Sequence, residues 1–130
     1  MMNVPADLKY SSSDEWIRVE GDVATIGITD YAQHELGEVV YVELPEVGAT
    51  VSPDVSFGVV ESVKAVSELL SPVAGEVIAV NTPVSDEPAI INDAPYTDGW
   101  MIRVKLSDTN LPSDLMDAAA YTAYRADGGH

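Results

Sequence analysis

The sequence predicts a mainly β domain with one short helix after its first hairpin and a longer helix near its C-terminus. Short β-prone runs alternate with turn signals over most of its length. Pro45, Pro53, Pro72, Pro83, Pro88 and Pro95 recur too closely for long helices, except between Pro53 and Pro72. Leu115–Ala120, by contrast, is made of good helix formers. With 130 residues, 46% of them apolar, the chain suits one domain (1–130) with a single core.

The elements follow in order. Asp14–Val19 and Val23–Ile28 read as strands joined by a hairpin turn at Glu20-Gly21-Asp22. Thr29 and Asp30 are capping residues, and Asp30 with Gln33 three later resembles a capping box for a helix near 30–36 that ends at Gly37. Glu38–Leu44 reads as a strand and Pro45–Gly48 as a turn, with strand-length segments continuing to about Leu106. A tight turn is expected at Gly75, where glycine would supply a positive φ. Residues 113–124 form the C-terminal helix, capped by Ser113 or Asp114 and lying against the sheet rather than building the core. The tail 126–130 is expected to fray. GEVVYVELP from Gly37 returns as GEVIAVNTP from Gly75. This is either a chance likeness of valine-rich strands or the mark of two related β halves joined through the segment that holds Lys64.

Composition excludes several functions. The absence of cysteine removes disulfides, thiolate metal sites and cysteine nucleophiles. Six basic residues against 22 acids argue against nucleic acid and against an anionic membrane surface. No run approaches the roughly 20 apolar residues of a membrane span, and no secretory pattern opens the chain, so a cytoplasmic protein is expected. Only His34 and His130 carry imidazoles, and nothing near His34 completes a triad or a metal site. Trp16, Tyr31, Tyr41, Tyr96 and Trp100 read as core or sheet-face residues.

Between Arg18 and Arg103 the only basic residue is Lys64, within VVESVKAVSELL at 59–70. Periodicity there is ambiguous between helix and strand. On spacing alone Lys64 is either a solubilising lysine paired with Glu61 or Glu68 or a residue singled out for chemistry.

The flanking sequence resembles a known family. ESVKA at 61–65, Ser67 and SPVAGEV at 71–77 are similar to the lipoyl-lysine segment of glycine cleavage H proteins. DEWI at 14–17, GIT at 27–29, YAQ at 31–33, LGEVVYVELPEVG at 36–48, PAIIN at 88–92 and PY..GW at 95–100 match further blocks of that family in its order. The resemblance implies a flattened barrel or sandwich of two sheets, of the lipoyl/biotinyl type, with Lys64 on an exposed hairpin turn. Lys64 is thereby the cofactor-binding residue, carrying lipoic acid as an amide, with no catalytic residue and no metal. Glu61, Ser62, Val63 and Ala65 would position it for the lipoylating enzyme. Two positions depart from the family: Asp14 stands where His is usual, and Asp54 where Gly is frequent.

The implied role is a monomeric shuttle, not an enzyme. It receives the aminomethyl group from glycine decarboxylase, a pyridoxal-phosphate enzyme, and hands the one-carbon unit to the tetrahydrofolate-dependent aminomethyltransferase. Its dithiol is then reoxidised by dihydrolipoamide dehydrogenase. A chain without cysteine suits that work, because no protein thiol competes with the dithiolane. The alternatives are an H-like lipoyl relay, another swinging-arm carrier, or a small hydrolase using His34. Biotin carriers place methionines beside their lysine and acyltransferase lipoyl domains show Asp-Lys-Ala, whereas Val63 and Ala65 flank Lys64 here.

The net charge of −16 gives the first prediction. Its self-repulsion spans the whole domain at about 0.01 M salt, where the Debye length is about 30 Å, but reaches only adjacent charges near 1 M, where it is about 3 Å. The fold is expected to be markedly more stable in molar potassium chloride than in dilute buffer, as in a salt-rich cytosol. The check is the unfolding midpoint across a salt series, with a neutral osmolyte as control; a flat response would leave the acids as a solubility device.

Overall fold

A computed structural model describes residues 3–107, 111 and 113–126. Nine strands and four helices follow one another in these residues. They are β1 (Lys9–Tyr10), β2 (Glu15–Glu20), β3 (Val23–Ile28), α1 (Asp30–Leu36), β4 (Val39–Glu43), β5 (Thr50–Val51), β6 (Ser56–Ser62), β7 (Val66–Leu70), β8 (Gly75–Val80), α2 (Thr82–Asp86), α3 (Ile90–Asp93), β9 (Ile102–Leu106) and α4 (Ala118–Ala126). They build a six-stranded sheet ordered β1-β2-β3-β9-β8-β5 and a three-stranded sheet ordered β4-β6-β7, antiparallel throughout. The expected fold class holds, in its sandwich form: two sheets, not a closed barrel.

The main core lies between the sheets. Val39, Val42, Val60 and Leu69 of the smaller sheet meet Ile17, Ala24, Ile26, Val77, Ile102 and Val104 of the larger one. β9 shows the pattern most cleanly, with Ile102, Val104 and Leu106 buried and Arg103 and Lys105 outward. β2 breaks it, because both of its faces are covered. Ile17 points into the main core while Trp16 enters a second cluster with Leu8, Tyr10, Tyr96 and Tyr121. The indole N–H of Trp16 donates to the Pro95 carbonyl at 2.9 Å, and the Tyr10 and Tyr121 rings stack at 4.8 Å. Stacking of this kind contributes about 1 kcal/mol beyond the buried area.

Several local expectations need correction. The α1 cap is Thr29, whose side chain accepts from the Ala32 N–H, while Asp30 is already helical and bonds Gln33 within the first turn. Thr29 wins because its backbone is extended there, as an N-cap requires. Between β8 and β9 the chain forms two helical turns, α2 and α3, rather than strands: α2 carries Pro83 in its first turn, where a missing N–H costs nothing, and ends before Pro88, while α3 fits between Pro88 and Pro95. The C-terminal helix starts at Ala118, not 113, with the Asp117 side chain accepting from the Ala120 N–H. Met116 is held extended instead, exchanging backbone bonds with Tyr10. Helix α4 also builds core, through the fully buried Tyr121. Ala126 still belongs to it, and residues 127–130 lie outside the described residues. The two similar segments at Gly37 and Gly75 fall in different sheets, and Lys64 lies not on a connection from one sheet to the other but on the turn between β6 and β7, both strands of the smaller sheet.

Gly75 is needed for a different reason than expected. It has no positive φ and opens β8, where a Cβ would stand 2.2 Å from the Lys105 carbonyl oxygen and 2.5 Å from Val104 Cγ1. The strand pair β8–β9 therefore approaches too closely for any side chain. Asp54, the position where the family often has glycine, does carry a positive φ of 65°, which aspartate tolerates better than most residues.

Glu15 is the one carboxylate that is fully buried among the described residues. It accepts from the Ser11 and Ser13 hydroxyls and from the Leu70 N–H. Burial pushes its carboxyl up to about 7, against the downward pull of Ser13, Ser11 and Leu70.

Two outcomes follow. Gly75→Ala alone should destabilise by about 1–3 kcal/mol, since backbone must move to admit the methyl; an unchanged thermal midpoint would contradict the close approach. Between pH 4.5, the ordinary value for Glu15, and about 7, the folded chain holds a proton that the unfolded chain has released. Stability therefore falls as pH rises through that window. Relative to Glu15→Gln, the native chain should lose up to about 3 kcal/mol between these limits, measured by denaturant titration at both ends; a constant difference would place Glu15 in water.

Candidate functional site

Lys64 sits at the tip of the β6–β7 hairpin. The strands pair up to Glu61 and Val66, leaving Ser62-Val63-Lys64-Ala65 to make the turn. Neither central residue has a positive φ, so valine and lysine are unstrained there. Ser62 organises the turn: its Oγ accepts from the Lys64 N–H at 3.2 Å and the Ala65 N–H at 3.0 Å, and its own N–H donates to the Ala65 carbonyl at 2.8 Å. These bonds hold the lysine backbone and leave its side chain free. Val63 at 68% exposure confirms that the tip stands in solvent, and Lys64 is likewise exposed. Its ammonium makes no ion pair among the described residues, so neither Glu61 nor Glu68 holds it as a surface partner.

The tip is braced from behind. The Val63 N–H donates to the Glu38 carbonyl at 3.0 Å, and the Lys64 stem crosses Gly37, where a Cβ would lie 3.5 Å from Cε. Gly37 closes α1 with φ 75° and ψ −154°, a backbone region nearly confined to glycine. Asn92 of α3 fixes this junction: its Oδ1 accepts from the Val39 N–H at 2.9 Å and its Nδ2 donates to the Gly37 carbonyl at 2.8 Å and to Gln33 at 2.9 Å. Asn92 belongs to the PAIIN block, yet sequence reasoning gave it no role. Its partners lie more than fifty residues away, and nothing local marks them.

A cavity of about 330 Å³ opens between α1, β7 and the loop entering β2, adjoining Lys64 through Ala65. Ile28, Leu36, Val60 and Leu69 make its apolar floor, and Glu15 and Ser67 bring polar groups to it. Sequence reasoning passed over Glu15 as well, within the DEWI block, because only the fold brings it beside β7. A larger cleft of about 470 Å³ runs from Thr50 to Ser52 and along the start of β8, and shares none of these residues.

The remaining residues named from sequence are dispersed. His34 is exposed on the last turn of α1, and its imidazole makes no hydrogen bond among the described residues. Trp16 and Tyr96 are buried in the second cluster, Tyr31 and Trp100 pack at its margin, and Tyr41 is exposed on the smaller sheet. Asp14 lies at φ 74° and is bound by Arg125 and by the Tyr121 hydroxyl at 2.7 Å. No described helix is long and apolar enough to cross a membrane.

Comparison with known proteins agrees with this geometry. The family model of the glycine cleavage H-protein matches residues 8–128. The glycine cleavage system H protein of Nitratidesulfovibrio vulgaris is 55% identical over 129 residues, covering 99% of this chain and all of that protein. That of Symbiobacterium thermophilum is 52% identical over 128 residues, covering 98% of this chain and 100% of its own. The crystal structure of the Mycobacterium marinum glycine cleavage system H protein superposes with a TM-score of 0.87 at 40% identity, over 95% of this chain and 99% of that one. The chain therefore belongs to the glycine cleavage H-protein family, the lipoate-bearing carriers of the glycine cleavage system.

Proposed function

We propose that Lys64 carries lipoate as an amide and that the chain acts with it as a monomeric, cytoplasmic, non-enzymatic shuttle. The observation that carries this reading is the hairpin tip. A single lysine stands in solvent, unpaired, on a turn whose backbone is tied down by Ser62. Acylation there costs no ion pair and disturbs no packing. The residues present fit the group: an exposed primary amine accepts it, and the cavity beside Ala65 offers an apolar floor of a size for its distal end. When bound, lipoate supplies a dithiolane for carbon transfer and redox exchange.

The protein's own part is to present and to shelter. The turn holds the attachment point clear of the sheet, so that separate enzymes can reach it in succession. We assign these as glycine decarboxylase, aminomethyltransferase, dihydrolipoamide dehydrogenase and, before them, the lipoylating enzyme. The outward carboxylates of Glu61 and Glu68 flank the tip and favour partners with basic approaches.

Lys64→Arg should keep its unfolding midpoint, because exposed turn substitutions change stability by only about 0.5 kcal/mol. It should gain no lipoyl mass and support no glycine cleavage with the three partner enzymes, since a guanidinium does not form the amide. Activity in that variant would refute the attachment site. A lipoylated native chain that fails the same reconstitution would instead point to a relay that passes lipoate onward.

A further inference from the structure

We infer that Arg125, on the C-terminal helix, is a positioning residue that sets the shape of the cavity beside Lys64. This rests on the reading that Lys64 bears the lipoyl arm.

Two walls of the cavity meet at Asp14. One is the loop Ser13–Glu15, and the other is α1, which contributes Ala32, Glu35 and Leu36. Arg125 ties both to α4. Its Nε lies 2.9 Å from Asp14 Oδ1 and its Nη2 reaches both carboxylate oxygens, a bidentate grip with side chains only 8% and 17% exposed. Its guanidinium also stacks 4.3 Å from the Tyr31 ring of α1. Asp14 accepts in addition from the Tyr121 hydroxyl, which is 2.8 Å from Thr29 Oγ1, the cap of α1. The Asp14 carbonyl accepts the Thr29 N–H at 3.0 Å.

The grip has a mechanical consequence. Asp14 is held at φ 74°, a conformation that costs a non-glycine residue energy even where aspartate bears it better than most, and the bonds to Arg125 and Tyr121 help to hold it there. Directly after it comes Glu15, whose Oε2 accepts the Leu70 N–H of β7, the third wall. Losing the cation would leave a largely buried carboxylate without a counter-charge. The loop would turn Asp14 toward solvent, and Glu15 and the cavity edge would move with it. Arg125 is not among the residues that line the cavity, whereas Asp14 is, so it acts on the cavity through Asp14.

The test uses the chain's lack of cysteine: in lipoylated protein the reduced arm bears the only thiols. Intact mass first establishes lipoylation. The rate of thiol reaction with a maleimide is then measured on the reduced arm, and again after loading through the decarboxylase with glycine, against free dihydrolipoamide. Protection is expected in at least one state of the native protein. Arg125→Ala and Asp14→Asn should each raise that rate roughly tenfold, as when a docked population of about 90% is lost. Ala123→Gly, which weakens exposed helix without touching the pair, should leave it unchanged. Equal protection in the native protein and both variants overturns the proposal, as does equal loss in Ala123→Gly. A native arm as reactive as the free compound in both states also overturns it, while the carrier reading stands. Absence of lipoylation on Lys64 overturns both.

Discussion

Face-to-face packing of the three-stranded sheet on the six-stranded one is the constraint from which the other features follow. Val39, Val42, Val60 and Leu69 on one side, and Ile17, Ile26, Ile102 and Val104 on the other, leave no freedom of register. A one-residue slip in β6 or β7 would turn Val60 or Leu69 outward and carboxylates inward. The hairpin β6–β7 is thereby anchored at its base. Its tip, which contributes nothing to the core, is free to carry Lys64 away from it. An attachment point needs both conditions: a rigid base to place it, and a tip whose chemical change costs no stability.

Polar joints then fasten what the sheets leave loose. Asn92 ties the end of α1 to the start of β4, Trp16 ties β2 to Pro95, and Arg125 with Tyr121 ties α4 to Asp14 and Thr29. They differ in weight. An exposed ion pair contributes about 0–1 kcal/mol, whereas removing one partner of a buried pair costs about 3–5 kcal/mol. The Asp14–Arg125 pair stands close to the second case, with little solvent on either side chain. In a chain with six basic residues it is also the one ion pair among the described residues. The other described acids make no ion pair, and apart from the buried Glu15 most reach water, so solvent screening rather than internal pairing must quiet their repulsion.

The second cluster explains why the domain keeps so many aromatic rings away from its main core. Tyr10, Trp16, Tyr96 and Tyr121 cover the outer face of the larger sheet; Trp16, Tyr96 and Tyr121 also bond through their polar atoms to distant segments, and the Tyr10 hydroxyl donates to the Pro5 carbonyl of the N-terminal segment. Burial raises the phenol of Tyr121 well above its usual range, so it donates to Asp14 throughout the working pH range. The rings thus fasten the N-terminal segment, the loop before β2 and α4 in one layer.

How much of this was legible in the sequence depends on the range of the interaction. The first hairpin, α1 ending at Gly37 and the strand after it are local facts, set by turn chemistry and by alternation of apolar residues, whereas the prolines between β8 and β9 marked breaks without showing that α2 and α3 are helical turns. Family blocks around ESVKA singled out Lys64 and its two-sheet setting. Local signals misled where two readings compete over a few residues: Asp30 against Thr29 as cap, residues 113–117 as helix when Met116 is drawn into pairing with Tyr10, and Gly75 as a turn when a neighbouring carbonyl forbids its side chain. Only the tertiary structure joined Asn92 to Gly37, Glu15 to β7, and Asp14 to Arg125 across 111 positions. A sequence records which side chains can bond, but partners so far apart meet only because burying both faces of the larger sheet brings their segments together.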